Sequence, residues 1–409
     1  MPAPAVAAVD GCDAGAIASA VIAGTLSVDD AERLGAFCAR ERFAGGDAGD
    51  DSDPDGDAER DYAENFAAAA TSADPREREA AALELEGRSD DAYALFAELA
   101  DEAETAGAVN AEANAAQLWR RAGALAFPGD PGAALDALER ARALEPGDPG
   151  TLVRLARLHH RRGDLDRALT LYDEAEAVAE DEADRIEIVR RRGNVHLSRG
   201  ALDDAQAAYE EALDGAVALG SRSDEAAALN NLGLIELRRA NAPDSRKYFE
   251  RALRINQDLD DQEGVAMQLG NLGVLAVADR QFSAAETFLS DALAISEQLG
   301  DTEAAARHLA NLAMSATETG RLDAADDYAQ RSLVLNEEIG SAEGRATSYL
   351  NIARIADARG DETASCDAWR SAYDTYAGLG ASLQTDFVEQ QMGYLDCDAV
   401  ADEAELQKD

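Results

Sequence analysis

Small, apolar and polar residues return along this chain in a fixed phase. Four segments align without gaps at a spacing of forty residues: NLGLIELRRA from Asn231, NLGVLAVADR from Asn271, NLAMSATETG from Asn311 and NIARIADARG from Asn351. Two residues after each asparagine stands a small residue: Gly233, Gly273, Ala313 or Ala353. A second small residue follows nineteen positions later (Ala252, Ala292, Ser332, Ala372), preceded by a bulky ring such as Phe249, Phe288 or Trp369. This spacing predicts two antiparallel helices per unit, with the small residues where the axes come closest, because a larger side chain would push them apart. Glycine and aspartate at Gly163-Asp164, Gly200, Gly320 and Gly360-Asp361 end one helix and cap the next.

The same grammar extends toward the N-terminus with less regular steps. Gly193 pairs with Ala205 and Ala212; Ala156 with Ala168, Tyr172 and Ala175; Ala122 with Ala134, Leu138 and Ala141, ahead of Pro146. Ala80, with Gly87, Ala92, Phe96 and Leu99, makes an eighth and weaker unit. One hairpin cannot bury its apolar stripe alone, so the units must stack. The chain is 46% apolar but only 5% aromatic. An interior built largely from alanine and leucine suits close-packed helices rather than a sheet, and the fold class is all-α.

This pattern resembles the tetratricopeptide repeat (TPR). The stretch Ala115–Pro149, with its closing proline, fits the short form of that repeat. The forty-residue units, with Asn-Leu-Gly and the terminal Leu299-Gly300-Asp301, resemble the longer repeats of kinesin-light-chain-type proteins. The likeness covers roughly residues 74–380. It implies a right-handed superhelical solenoid of about eight helix-turn-helix repeats, without catalysis or cofactor, that binds a protein or peptide in a concave groove lined by the first helix of each repeat. Around that solenoid (62–380) the sequence suggests a short helical N-terminal segment (1–44) and an acidic disordered linker (45–61). A capping helix (381–396) and an acidic tail (397–409) would complete the chain.

Charge narrows the partners. There are 82 acidic and 37 basic residues, a formal net of −45, and the only lysines are Lys247 and Lys408. Such a surface resembles that of cytoplasmic proteins from salt-accumulating halophiles, where salt screens the self-repulsion. It disfavours nucleic acid and anionic membranes as partners. Cys12, Cys38, Cys366 and Cys397 form no CxxC pair or disulfide framework, which suggests single thiols in a reducing interior. The N-terminus lacks the basic region of a signal peptide, and the run Ala14–Leu26 is too short to span a bilayer, so a cytoplasmic location is expected. No P-loop, GxGxxG, HExxH or GxSxG is present.

The first-helix register supplies the candidate site. Two residues before each small residue stand Arg120, Arg154, Arg191, Asn231, Asn271, Asn311 and Asn351, joined on the same faces by Arg157, Arg161 and Arg190. Residues 140–200 carry 12 arginines against 12 acids, a neutral stretch in a strongly anionic chain. Guanidinium groups offer paired hydrogen bonds to carboxylates, and asparagine can both donate to and accept from an extended backbone. In peptide-clamping members of the resembled family, groove asparagines and basic residues do this work, which implies the same role for Asn231, Asn271, Asn311, Asn351, Arg154, Arg157 and Arg191. The alternative is that these groups satisfy one another between hairpins. Asp51, Asp53, Asp55 and Gly56 match the start of a calcium loop, but Tyr62 stands where the closing glutamate belongs, which favours a solvated linker. His159, His160 and His196 are enough for a zinc site, or are ordinary boundary histidines. Met267 and Met314 face either the groove or the core, Trp119 the groove near Arg120, and Trp369 the core. Two functions remain: a scaffold holding an extended, acidic polypeptide, or a regulatory sensor that changes its superhelical pitch on binding a small peptide or anion.

Overall fold

Aspartate and glycine decide where many helices of this chain begin and stop. A computed structural model describes Ala31, residues 57–106, 111–127, 129–379 and 381–395, and Cys397. The described residues hold eighteen α-helices and no strand. They are α1 (Asp57–Ala70), α2 (Pro75–Leu85), α3 (Ser89–Thr105), α4 (Ala111–Ala126), α5 (Pro131–Leu144), α6 (Pro149–Arg161), α7 (Leu165–Val178), α8 (Glu182–Ser198) and α9 (Leu202–Leu219). Then follow α10 (Arg222–Arg238), α11 (Ala242–Asp258), α12 (Gln262–Ala278), α13 (Phe282–Leu299), α14 (Thr302–Glu318), α15 (Leu322–Glu338), α16 (Ala342–Arg359), α17 (Glu362–Gly378) and α18 (Ser382–Leu395). Eight successive hairpins run from α2–α3 to α16–α17, an all-α helical-repeat architecture.

The caps are local chemistry. Asp74, Asp130, Asp148, Asp181, Asp261, Asp301 and Asp361 each accept a hydrogen bond from a backbone N–H in the first turn of the helix that follows. Inside the hairpins the chain reverses through the left-handed region at Gly200, Gly320 and Gly360, with φ of 77°, 72° and 73°. The same turn is made by Ala240 at φ 55° and Arg280 at φ 57°, where a Cβ is costly.

Hairpin packing turns on the first small residue of each unit. A Cβ placed on Gly193, Gly233 or Gly273 would come within 2.6, 2.5 and 2.5 Å of the Tyr209, Phe249 and Leu289 side chains. Each of these three side chains lies sixteen residues on and is fully buried against its glycine.

The chain divides into two compact units, with the boundary inside α9 between Glu211 and Ala212. In the first, α1 packs on α2 and α4, and Tyr62, Phe66, Phe96 and Trp119 share a core. Leu138, Leu152, Leu155 and Leu171 extend that unit's interior. In the second, Leu289, Leu309 and Leu312 form one cluster, while Trp369, Tyr376 and Val388 join α17 to α18.

Three expectations need correction. Helix α1 starts at Asp57, inside the stretch read as linker, because its acidic first residues favour a helix N-terminus. Trp119 is buried and donates from Nε1 to Glu104 at 2.8 Å, with the Arg140 guanidinium over its ring, so it faces the interior. Cys366 and Cys397 form a disulfide across 31 residues, with Cα atoms 5.4 Å apart; folding brings together two cysteines whose sequence spacing announces nothing. The Asp51, Asp53, Asp55 and Gly56 motif, the segment 1–44 (Ala31 apart) and the tail from Asp398 lie outside the described residues.

One buried base is unusual. His308 on α14 is almost wholly enclosed, packs on Gly270 and makes no hydrogen bond among the described residues. Burial, with Arg307 nearby, holds its pKa down at about 4.

Two measurements check this account. In urea titrations, Ala240→Gly and Arg280→Gly should each stabilise the protein by about 1 kcal/mol by relieving the left-handed residue. Gly233→Ala should cost about 1–3 kcal/mol through collision with Phe249. Separately, the unfolded chain protonates histidine near 6.5 while the folded chain resists down to about 4, so His308 removes stability as pH falls through that window. His308→Gln, the residue standing forty positions earlier at Gln268, should flatten the loss between pH 7 and 5 by up to about 1.4 kcal/mol per pH unit.

Candidate functional site

The candidate residues fall on the first helices of their hairpins, in two sets that belong to different units. In the first unit the arginines are drawn into the protein. Arg120 on α4 binds Glu145 at 2.6 Å and Asp148 at 3.5 Å, both at the end of its own hairpin. Arg157 and Arg161 on α6 place their guanidinium carbons 5.3 and 4.7 Å from the Phe127 ring, a pair of cation–π contacts. Arg191 on α8 donates from Nε to Glu187 at 2.9 Å. Arg157, Arg190 and Arg191 are buried, whereas Arg154 and Arg161 stay half-exposed. Their neutral neighbourhood therefore reflects internal pairing as much as a surface for a ligand. The histidines divide in the same way: His160 Nε2 lies 2.8 Å from Ser198 Oγ, His159 Nδ1 lies 3.1 Å from Asp164, and burial lowers the pKa of His196.

In the second unit the four asparagines keep their shared register but not a shared role. Asn231 is 3% exposed and accepts from Asn230 Nδ2 at 3.2 Å. The Asn230 oxygen in turn accepts from Gln268 Nε2 at 3.1 Å and from Asn271 Nδ2 at 2.9 Å. Asn351, 6% exposed, donates to the Ala310 carbonyl at 3.0 Å. These bonds cross from one hairpin to the next. Asn271 and Asn351 each use the residue 41 positions back, which for Asn311 is Gly270, whose face is covered by His308. Asn311 is half-buried and has no hydrogen-bond partner among the described residues.

What opens to solvent lies beside the asparagines. Three residues after each stand Leu234, Val274, Met314 and Arg354, half-buried or exposed. Four residues before stand Ala227, Met267, Arg307 and Thr347, also half-buried or exposed. These offsets put them on the asparagine face of the helix. The accessible lining of α10, α12, α14 and α16 is therefore apolar at its middle, with Arg307 and Arg354 toward one end, and Asn271 and Asn311 as its amides. Leu234 and Val274 were missed by reading for polar groups alone, although stepping three residues on from each asparagine finds them. Chemically, such a face can hold apolar side chains and hydrogen-bond a backbone; it contains no nucleophile–base pair.

Likenesses to known proteins agree with this architecture. Two tetratricopeptide-repeat family profiles match the chain, one over residues 128–190 and one over 224–298. No curated protein matches the sequence. Among solved structures, the apo form of the quorum sensor NprR from B. thuringiensis superposes with a TM-score of 0.55 at 14% identity, over 78% of this chain and 88% of that one. Yeast Tom70 gives 0.52 at 14% identity, over 86% and 68% of the two chains. A Rap protein complexed with competence and sporulation factor gives 0.51 at 14% identity, over 76% and 94%. At such identities the likeness is one of fold. With helical hairpins in each unit and one stretch in each matched to the repeat, the chain contains tetratricopeptide repeats and is an all-α helical-repeat protein.

Proposed function

We propose that this protein is a binding module rather than a catalyst, and that it holds a segment of another polypeptide along the first helices of its hairpins. The observation that carries this reading is the open face of α12 and α14. There Asn271 and Asn311 are half-buried beside Met267, Val274 and Met314, and Arg307 stands at the edge. Methionine adapts to varied apolar side chains, and a half-buried amide can serve a backbone whatever its sequence. Asn311 is the strongest candidate contact, because its amide is unspent among the described residues. Each unit has its own arginines to favour acidic residues in a ligand, Arg154 and Arg161 in the first and Arg307 and Arg354 in the second. Asn231, Asn351, Arg157, Arg190 and Arg191 act in this reading as supports that fix the helices.

A second reading is a regulatory sensor that answers a small peptide. It draws support from the likeness to NprR, described as a quorum sensor, and to a Rap protein complexed with competence and sporulation factor.

Peptide selection on the full chain at molar salt, followed by affinity measurement, tests the face. Met267→Glu with Met314→Glu should weaken the selected peptides by about tenfold or more, roughly 1.4 kcal/mol, while helical circular dichroism stays unchanged. Equal affinity in the folded double variant would dispose of the proposal. A change in solution radius on adding the peptide would favour the sensor over a static scaffold.

A further inference from the structure

We infer a second binding site, separate from the first-helix face: a cavity of about 400 Å³ between α13, α14 and α15 that takes a small cationic molecule with an apolar body. It is lined on α14 by Thr302, Ala305 and Leu309 and on α15 by Arg331, Val334 and Leu335. The lining face of α14 is opposite the one that carries Arg307, Asn311 and Met314, since a step of two residues turns a helix by about 200°.

The repeat itself shows why the cavity exists. Ala305 occupies the phase held by Glu225, Val265 and Arg345 in the other forty-residue units, and is the smallest of the four. In the unit containing α10 and α11, that place is filled by an ionic cluster. Glu225, 7% exposed, binds Arg222 at 3.0 Å and Arg251 at 2.6 Å. Arg331 is the counterpart of Arg251, but Ala305 offers it no carboxylate, and it turns instead to Glu297 at 3.0 Å and Asp327 at 3.7 Å. Exchange of a glutamate for an alanine at one phase thus replaces a filled ionic contact with an apolar recess.

An unsatisfied polar group borders it. Ser296 lines the cavity, is 0% exposed, and its Oγ makes no hydrogen bond among the described residues. A buried hydroxyl without a partner costs free energy, which a ligand donor or acceptor would recover. The Nδ2 of its phase counterpart Asn336 donates to the Ser332 carbonyl at 2.9 Å and to Ser348 Oγ at 3.3 Å. The floor is apolar, with Leu309 buried and Leu335 half-buried, and the Val334 side chain stands exposed at the wall. Glu297 and Asp301 also line the cavity, and the Arg331 charge is already matched by Glu297 and Asp327. In a chain of net −45 this leaves the mouth anionic, favouring an ammonium over a carboxylate. The volume lies in the range of small-molecule sites, roughly 300–1,000 Å³.

Three indoles of like shape and different charge test the assignment on the full chain: tryptamine, indole and indole-3-acetate, each titrated by backbone NMR at fixed salt. Saturable shifts centred on Ser296, Ala305 and Val334 are expected, strongest for tryptamine and weakest for indole-3-acetate. Ala305→Arg, the residue at Arg345, should weaken tryptamine by about tenfold or more. Ala305→Val, as at Val265, should weaken it less and keeps the test open where the arginine variant does not fold. Overturning results are the absence of saturable shifts, unaltered tryptamine binding in a folded variant, or tightest binding by the acetate. Saturation by a basic tryptophan peptide but not by tryptamine would likewise reject the small-molecule assignment in favour of a polypeptide side chain.

Discussion

Two helices approach closely only where one of them gives up its side chain, and this rule sets the rest of the architecture. Gly193, Gly233 and Gly273 each leave space that a buried tyrosine, phenylalanine or leucine from the return helix fills. In these three hairpins the glycine and its partner are sixteen residues apart, so they close in one geometry. With the hairpin fixed, forty-residue spacing brings the same helix face to the same place in successive units. A row of side chains becomes a lining only because this one contact repeats.

Once the register exists, polar residues on it have two possible uses, and the protein employs both. Asn230, Gln268 and Asn271 tie α10 to α12, and Asn351 ties α16 to the backbone of α14. Where the pattern lapses, at Gly270 and Ala305, the molecule exposes an unused amide on one side of α14 and a recess on the other. Both candidate surfaces therefore come from departures within a repeat, not from the repeat. That origin accounts for how two sites can share one helix without sharing a residue.

The fold was legible because its signals are local and redundant. Gly233 with Phe249, the capping aspartates and the turn glycines each point to the same hairpin. The site was legible only in part. Sequence placed Asn231, Asn271, Asn311 and Asn351 at one phase, and they do share it, yet phase does not say which amide is already bonded. That depends on what is offered 41 residues earlier: the Asn230 side chain to Asn271 and the Ala310 carbonyl to Asn351, whereas Asn311 meets Gly270, whose face His308 covers. Likewise Arg157 and Arg161 read as groove cations, whereas Phe127, from a turn outside the repeat pattern, draws them to its ring. Burial of Trp119 and pairing of Cys366 with Cys397 were invisible for the same reason, since both depend on contacts between segments that carry no common motif.

The Cys366–Cys397 bond also changes how the last helix is held. Cys366 sits within α17, while Cys397 lies just beyond α18, so the covalent path skips α18 entirely. A pull applied to the chain past Cys397 enters the fold at α17, and α18 becomes a slack loop carrying no load. Mechanical tension on the chain beyond Cys397 would then be borne by the α16–α17 hairpin, with its buried Trp369, and α18 could not be peeled away first.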